Sequence, residues 1–566
     1  MKKMHSWLCT VTVLVCVLET TTAGRHVEPR HCHGSAKHLH LAVGKDPTQE
    51  MTISFASKWS HPDVVAPIGG VHYGTKPHEL DTFVGEQEYP IKYESSLLRG
   101  GGDYYSPYQH HITIGGLEPN TTYYFVAVIG EREKGIKALE EMPLRDHPSQ
   151  HIENWVAENE ILSGEEAMNE EEEDGERRLR RRKLAPPPYD PSGKPCMEAH
   201  KVRSFKTAPD TSEGPVSFAI IGDLGQFDHS RETLEHMAAN REGIDAVMLV
   251  GDVAYTGFNH KQWDTYFDFL DDYSIFDEVP LQIATGNHGM WILVCRLSVC
   301  KSMKANTLLF GLDIDKQENR YEIFQAYESR FRMPRVKPPE LGLYDGPLGL
   351  LNLDAPPYPL AYEWGNAYYS FDYGPAKHIV LSAYSSMEPD SPQYKWIEGV
   401  LKSVDRKFTP WVLVTIHVPI YNTFALHARD PQIFAARDYM EPLFVQYKVN
   451  IVFTGHIHAY QRTANVAMEV LDPSGPMHIT IGAGGRACNA PFKSEIPEDW
   501  VMKRDASIYG YGRFDIFNQT HAEWKWIPLS SSDEHDYNVV KNEDVHLPQL
   551  KHDQLIVENQ WFLSLE

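Results

Sequence analysis

Five short apolar runs, each ending in a residue able to ligate a metal, constrain the fold of this chain more tightly than any other feature. Val216 to Ile221 leads into Gly222-Asp223-Leu224-Gly225, and Ala246 to Val250 leads into Gly251-Asp252-Val253-Ala254-Tyr255. Leu281 to Thr285 precedes Gly286-Asn287-His288, Trp411 to Ile416 precedes His417, and Asn450 to Thr454 precedes Gly455-His456-Ile457-His458. Apolar, β-branched runs of this length next to glycine read as strands buried on both faces. Helical patterns over Gln262–Asp272 and Gln393–Asp405 fall between some of them, so the segment predicts a layered α/β domain.

In such domains ligands gather at the carboxyl ends of the strands, so residues far apart in sequence converge there. Four of the runs place glycine beside the ligand, which permits a sharp turn and a close backbone approach to an ion. A single Gly-Asp after a strand is an ordinary turn. Five strand ends in succession, carrying Asp, Tyr, Asn and His, describe a metal centre with donors enough for two ions.

The order and spacing of these pieces resemble the purple acid phosphatases, a branch of the dinuclear metallophosphoesterases. Gly225 stands where general members of that superfamily place the histidine of Asp-x-His, and Tyr255, three residues beyond Asp252, is what this branch uses instead. A phenolate is a hard anionic ligand that suits a trivalent ion. Carried over residue by residue, the resemblance implies Asp223, Tyr255 and His458 on iron(III). It implies Asn287, His417 and His456 on a divalent zinc, manganese or iron ion, with Asp252 bridging the two. Further family-like stretches are Gly455 to Arg462, Ser474 to Gly485 and Tyr511 to Phe514, so the resemblance covers about residues 38–128 and 203–526.

The activity implied is that of a secreted acid phosphatase acting on phosphate monoesters. Two ions about 3.5 to 4 Å apart polarise a phosphoryl oxygen, generate hydroxide as the nucleophile and stabilise the attacking and leaving oxygens. A trivalent ion acidifies its water enough for activity below neutral pH. Histidine suits protonation of the leaving group, and His288 and His427 are the catalytic candidates, His427 lying where plant members carry a substrate-contacting histidine. With 28 histidines in the chain, an exposed loop residue is the plain alternative for His427. Leu426 and Gly289 depart from the plant pattern, in which histidine and an acidic residue are usual. Those changes spare the ligands and alter how phosphate and leaving group are held.

A chain of 566 residues exceeds one core and suggests two domains. Residues 1–23 read as a signal peptide, with a basic start, a short apolar stretch and small residues before Gly24. An N-terminal β-sandwich is expected over 24–208, the metallophosphatase domain over 209–530, with a central β-sandwich flanked by helices, and a polar tail over 531–566. Alternation in His38–Val43 and Met51–Phe55 supports the sandwich. The stretch His111 to Phe125 resembles a fibronectin type III-like strand pair, the domain that precedes the catalytic domain in plant purple acid phosphatases. His31, Cys32, His33, His38 and His40 could be read as a further metal cluster, against the plainer reading of strand and edge residues. Between about 133 and 200, blocks such as Glu170–Asp174 and Arg177–Lys183 build no core and read as a disordered insertion, with a basic-specific processing site as its sharper reading. Pro334 to Pro359 reads as a rim loop of the site.

The formal net charge of −25 argues against nucleic acid, whose backbone demands clustered Lys and Arg. No apolar run after the signal is long enough to span a bilayer, so no membrane insertion is expected, and the mature protein belongs outside the cell or in an acidic organelle. Asn120-Thr121-Thr122 and Asn518-Gln519-Thr520 are glycosylation sequons. Five cysteines remain after the signal, Cys32, Cys196, Cys295, Cys300 and Cys488, and their connectivity is not readable from spacing. The expected partners are small phosphorylated substrates, and a homodimer is compatible with this reading. The competing readings are a phosphodiesterase on the same metal core and a non-enzymatic extracellular binding protein.

Overall fold

In a computed structural model of the chain, the described residues are 36–57, 66–96, 103–130, 132, 135–140, 201–212, 214–256, 259–289, 315–317, 320–322, 324–335, 362–363, 365–531 and 553–563. The expected signal, the part of the insertion from 141 onward, most of the rim loop and every post-signal cysteine except Cys488, buried and free among the described residues, lie outside them. The start of the expected disordered insertion needs correction: Gly135–Glu140 is a helix, because Leu139 buries its side chain against Ile68, Val126 and Val128 of the neighbouring sheet.

The N-terminal part is built from two antiparallel sheets. One orders Lys37–Val43, Met51–Ala56 and Gln109–Ile114; the other orders Thr82–Gly85, Ile68–Gly74, Thr122–Gly130 and Arg203–Lys206. Alternate residues of both sheets, among them Leu41, Ile53, Phe55, Ile112, Val71, Phe125 and Phe205, form one buried cluster, as two facing sheets require. The Tyr123 hydroxyl accepts the Glu118 backbone N–H at 2.9 Å, the corner that recurs in immunoglobulin-like sandwiches. The expected strand pair within His111–Phe125 needs correction: Gln109–Ile114 pairs with Met51–Ala56, whereas Thr122–Gly130 pairs with Ile68–Gly74. Leu117 is buried in the shared core and the tyrosine corner turns the chain, so the connection passes from one sheet to the other. His38 and His40 lie on the first strand. The His40 ring packs against Phe267 and Phe331 at 5.2 Å each, and burial pulls its pKa down to about 4.

The second part is also a pair of facing sheets. Six strands run in the order Leu281–Ile283, Ala246–Leu249, Val216–Ile221, Ile508–Ile516, His521–Ser531 and Asp553–Glu558, the first three parallel. The other sheet orders Tyr369–Tyr373, Ala376–Leu381, Trp411–Ile416, Ile451–Thr454, Met477–Ile481, Tyr460–Ala467 and Val470–Leu471, with Val501–Asp505 also against Tyr460–Ala467. Its four strands from Ala376–Leu381 to Met477–Ile481 are parallel. Aromatic rings join the sheets: Phe218 meets His378 at 4.4 Å, Trp411 meets Phe514 at 5.8 Å, and Phe453 meets Trp524 at 5.6 Å. Burial of one such ring stabilises by roughly 1.5–3 kcal/mol.

Helices complete the layers. Lys261–Asp271 buries Trp263, Tyr266, Phe267 and Leu270, the 3, 4, 7 spacing of a single apolar stripe. Pro392–Ser403 starts with Ser391 accepting the Tyr394 N–H and Pro392 at the first position, both ordinary start signals. Arg330, fully buried, lies 2.6 Å from Asp264 and donates to the Tyr104 hydroxyl at 2.7 Å, tying the N-terminal part to this helix layer.

The tail expected from 531 is in part a strand of the six-stranded sheet. Asp553–Glu558 pairs with His521–Ser531, and Asp553, 3% exposed, receives Arg462 through two hydrogen bonds of 2.7 and 2.8 Å and the Tyr460 hydroxyl at 2.7 Å. A buried guanidinium left without its carboxylate costs about 3–5 kcal/mol. Asp553→Ala is expected to lower unfolding stability by that amount in chemical denaturation, and the pair Asp553→Leu with Arg462→Met to recover most of it.

Candidate metal centre

The seven expected ligands lie together at the carboxyl edge of the two sheets. Asp223 and Asp252 sit just past Val216–Ile221 and Ala246–Leu249, and Asn287 and His288 lie in a short 3-10 turn past Leu281–Ile283. His417 follows Trp411–Ile416 directly, and His456 follows Ile451–Thr454 by one glycine. The loops are held in an uncommon backbone region: φ is +56° at Asp223, +46° at Asp252, +52° at Tyr255, +53° at His427 and +68° at His456. Non-glycine residues in that region cost about 1–3 kcal/mol each and persist where the surroundings over-determine them. Gly251 and Gly286 are required for contact as well as turning. A Cβ at Gly251, where φ is +106°, would meet the His417 ring at 2.2 Å, and one at Gly286 would meet the Asp252 backbone nitrogen at 2.1 Å.

The donors fall into two groups around a shared carboxylate. In the first, the Tyr255 hydroxyl lies 2.9 Å from Asp223 Oδ1 and 2.9 Å from His458 Nε2, with His458 Nε2 3.5 Å from Asp223 Oδ1. In the second, Asn287 Oδ1 lies 2.8 Å from His456 Nδ1 and 3.2 Å from His417 Nε2. Asp252 belongs to both sets, its Oδ1 being 3.5 Å from His417 Nε2 and its carboxylate within 4.8 Å of the Asp223 and His458 donors. Two atoms bound to one ion at about 2.1 Å are about 3.0–3.4 Å apart when they subtend 90–110° at the metal. The donor separations of 2.8 to 3.5 Å bracket that range, and the residues fit a pair of ions. The second ring nitrogens of His417 and His456 are anchored. His417 Nδ1 donates to the Val250 carbonyl at 2.9 Å, leaving Nε2 for the site, an arrangement that fixes ring orientation in metal-binding histidines.

Electrostatics follow from this crowding. Burial opposes ionisation of Asp252, but the charges of His417 and His288, with hydrogen bonds from both, overrule it and hold the carboxyl below its ordinary range. Burial likewise opposes a charge on His417, but Asp252 and Asp223 prevail and raise its pKa to about 9. Burial, with His417 and His427 nearby, pulls His456 down to about 4, leaving the neutral ring that a metal binds. Burial and the carboxylates of Asp223 and Asp252 hold the Tyr255 phenol well above its ordinary value, while the Arg486 guanidinium opposes them.

His288 presents its backbone first: its N–H donates to Asp252 Oδ1 at 2.7 Å, and its Nε2 is 3.9 Å from Asp252 Oδ2. Its ring lies 4.3 Å from that of Tyr255. His427 sits at the exposed mouth of the site with its ring 4.0 Å from that of His456. Asp430 was not anticipated. One oxygen, Oδ2, is 2.9 Å from His427 Nδ1 and 2.9 Å from His456 Nε2. Its position immediately before Pro431 reads as a helix start, and the spacing from His427 is the only sequence signal. Arg486 was also unanticipated; its guanidinium stands 4.8 Å over the Phe227 ring and 5.8 Å over that of Tyr255.

Three family descriptions match successive parts of the chain. They are the purple acid phosphatase N-terminal domain over residues 36–135, the calcineurin-like phosphoesterase over 216–460 and the iron/zinc purple acid phosphatase-like protein C over 475–537. Purple acid phosphatase 22 of Arabidopsis thaliana is 31% identical over 323 residues, covering 57% of this chain and 62% of that protein. Fe(3+)-Zn(2+) purple acid phosphatase 12 of the same plant is 30% identical over 336 residues, covering 57% and 61%. The chain thus spans about three fifths of the length of these relatives. A purple acid phosphatase from yellow lupin (Lupinus luteus) seeds superposes with a TM-score of 0.57 over 89% of this chain and 74% of that one, at 18% identity, which shows the shared fold.

A metal must displace the proton that Asp252 holds on His417, because only the neutral imidazole is a ligand. The Zn2+ affinity of metal-free protein is therefore expected to fall about tenfold for each pH unit below about 9 on account of this group. Calorimetric titration in buffers of different ionisation enthalpy checks the accompanying proton release; an affinity independent of pH contradicts it.

Proposed function

This chain belongs to the purple acid phosphatases, and from that membership we propose that it is a secreted enzyme hydrolysing phosphate monoesters at acid pH with one iron(III) and one divalent ion. The observation that carries the reading is the pair of donor groups, Asp223-Tyr255-His458 and Asn287-His417-His456, meeting at Asp252. Tyr255 and two carboxylates make the first group hard and anionic, suited to a trivalent ion, and the imidazoles and amide of the second suit zinc, manganese or iron(II). When bound, such a pair polarises the phosphoryl group, supplies the nucleophile and neutralises charge on the attacking and leaving oxygens.

The protein's own groups do the rest. His427, 41% exposed and fixed through Nδ1 by Asp430, keeps Nε2 for a proton to the departing alcohol. Asp430 at the same time orients His456. Leu426, exposed beside His427, leaves that rim apolar. Such a rim suits substrates with an organic group next to the ester oxygen. Both sequon residues Asn120 and Asn518 are exposed, which supports passage through the secretory route, and no helix among the described residues is long and apolar enough to cross a membrane. Small phosphorylated substrates remain the proposed partners, with nucleic acid disfavoured by the net charge of −25.

Side-by-side turnover of an aryl phosphate and a bis-aryl phosphate at acid pH tests this reading. The monoester is expected to be preferred; a diester preference would make the protein a phosphodiesterase, and no turnover by metal-loaded protein would remove the enzyme reading. His427→Ala is expected to lower kcat by roughly 10²- to 10⁴-fold with metal content unchanged, and Asp430→Asn by roughly 10- to 100-fold. Unchanged kinetics in His427→Ala would remove its role as proton donor.

A further inference from the structure

Tyr384 is 5% exposed, and its hydroxyl has no hydrogen-bond partner among the described residues. A hydroxyl buried in that way costs about 1–3 kcal/mol, and phenylalanine would fill the same space without the cost. The fold places Tyr384 at the sheet edge that carries the metal centre. Tyr384 lies three residues past the strand Ala376–Leu381, whose last residue is in register with Ile416, immediately before His417. The two residues therefore leave adjacent parallel strands at the same edge, where ligands gather in such sheets. After burial, the charges that bear most on the hydroxyl are those of Asp252, Asp430 and Asp223, and together they keep it protonated.

The segment that carries Tyr384 is held rigidly. Gln393, fully buried in the helix Pro392–Ser403, accepts the Ser382 N–H at 2.8 Å and donates to the Ser382 carbonyl at 3.0 Å and to the carbonyls of Ser385 and Ser386 at 3.4 Å each. The Tyr384 N–H donates to Ser382 Oγ at 3.1 Å, Ser385 Oγ donates to the Tyr362 carbonyl, and the Tyr384 ring packs 6.0 Å from that of Phe324. An unpaired donor in so fixed a frame is pre-organised for an acceptor that arrives with a ligand.

We propose that the Tyr384 hydroxyl donates a hydrogen bond to an oxygen of the phosphate group bound at this centre, making Tyr384 a substrate-binding residue. This rests on the phosphatase reading above. A hydrogen bond to a charged oxygen is worth roughly 1.5–3 kcal/mol. Tyr384→Phe in the metal-loaded protein is therefore expected to weaken inhibition by inorganic phosphate, and to raise KM for an aryl phosphate, by roughly 10- to 100-fold. Metal content is expected to stay the same, and the melting temperature to stay level or rise, because the substitution removes an unpaired buried group. An inhibition constant for phosphate equal to that of wild type overturns the proposal, as does a fall in melting temperature with phosphate constants unchanged, which would assign the hydroxyl to packing. Wild-type protein that neither hydrolyses aryl phosphate nor is inhibited by phosphate overturns the phosphatase reading and this proposal together; wild-type activity with an unaltered Tyr384→Phe overturns this proposal alone.

Discussion

A carboxylate as deeply buried as Asp252, 1% exposed, loses several kcal/mol of hydration and stays ionised only if charges and hydrogen bonds repay it. Here the His417 ring and the His288 backbone N–H do so, and much of the second half of the chain can be read as what brings them there. His417 must arrive from the eight-stranded sheet and His288 from the six-stranded one, so the two sheets have to end at the same level. The aromatic contacts between the sheets, from Phe218 on His378 to Phe453 on Trp524, fix that level. The strand Asp553–Glu558 and its pairing with Arg462 secure the strand that begins two residues past His458.

Convergence alone would leave the donors mobile. Five residues of the centre and its mouth adopt left-handed backbone, and glycines stand where any Cβ would collide with Asp252 or the His417 ring. This strain is carried by neighbours that leave no alternative: the Val250 carbonyl holds one face of His417, and Asp430 holds both His427 and His456. A site fixed before its ions arrive gives up little freedom on binding them.

The strands were legible because a strand buried on both faces is a continuous apolar run, and Val216–Ile221 and Trp411–Ile416 are buried throughout. The seven donors were legible because each follows such a run by a few residues, and their convergence is a property of the sheet edge. His38 and His40 read as strand residues for the same reason of alternation. Other features carry no local mark. Asp430 before Pro431 looks like any helix start, and its two histidine partners meet only in space. Tyr384 sits in an Ala-Tyr-Ser-Ser stretch whose meaning comes from a hydroxyl without a partner among the described residues. Asp553 lies in a polar segment without pattern, and its value depends on Arg462, which is 91 residues away. The crossing of Gln109–Ile114 and Thr122–Gly130 into different sheets depends on the buried Leu117 and the Tyr123 corner, neither of which periodicity reveals.

The central claim is that Tyr255, Asp223 and His458 hold a trivalent iron beside a divalent ion held by Asn287, His417 and His456, with Asp252 between. A visible absorption spectrum taken together with metal analysis of the purified protein tests it most directly. The account predicts two metals per chain, one of them iron, and a tyrosinate-to-iron(III) band that Tyr255→Phe abolishes. A protein that binds two metals and shows no such band, or one whose band survives Tyr255→Phe, would contradict it.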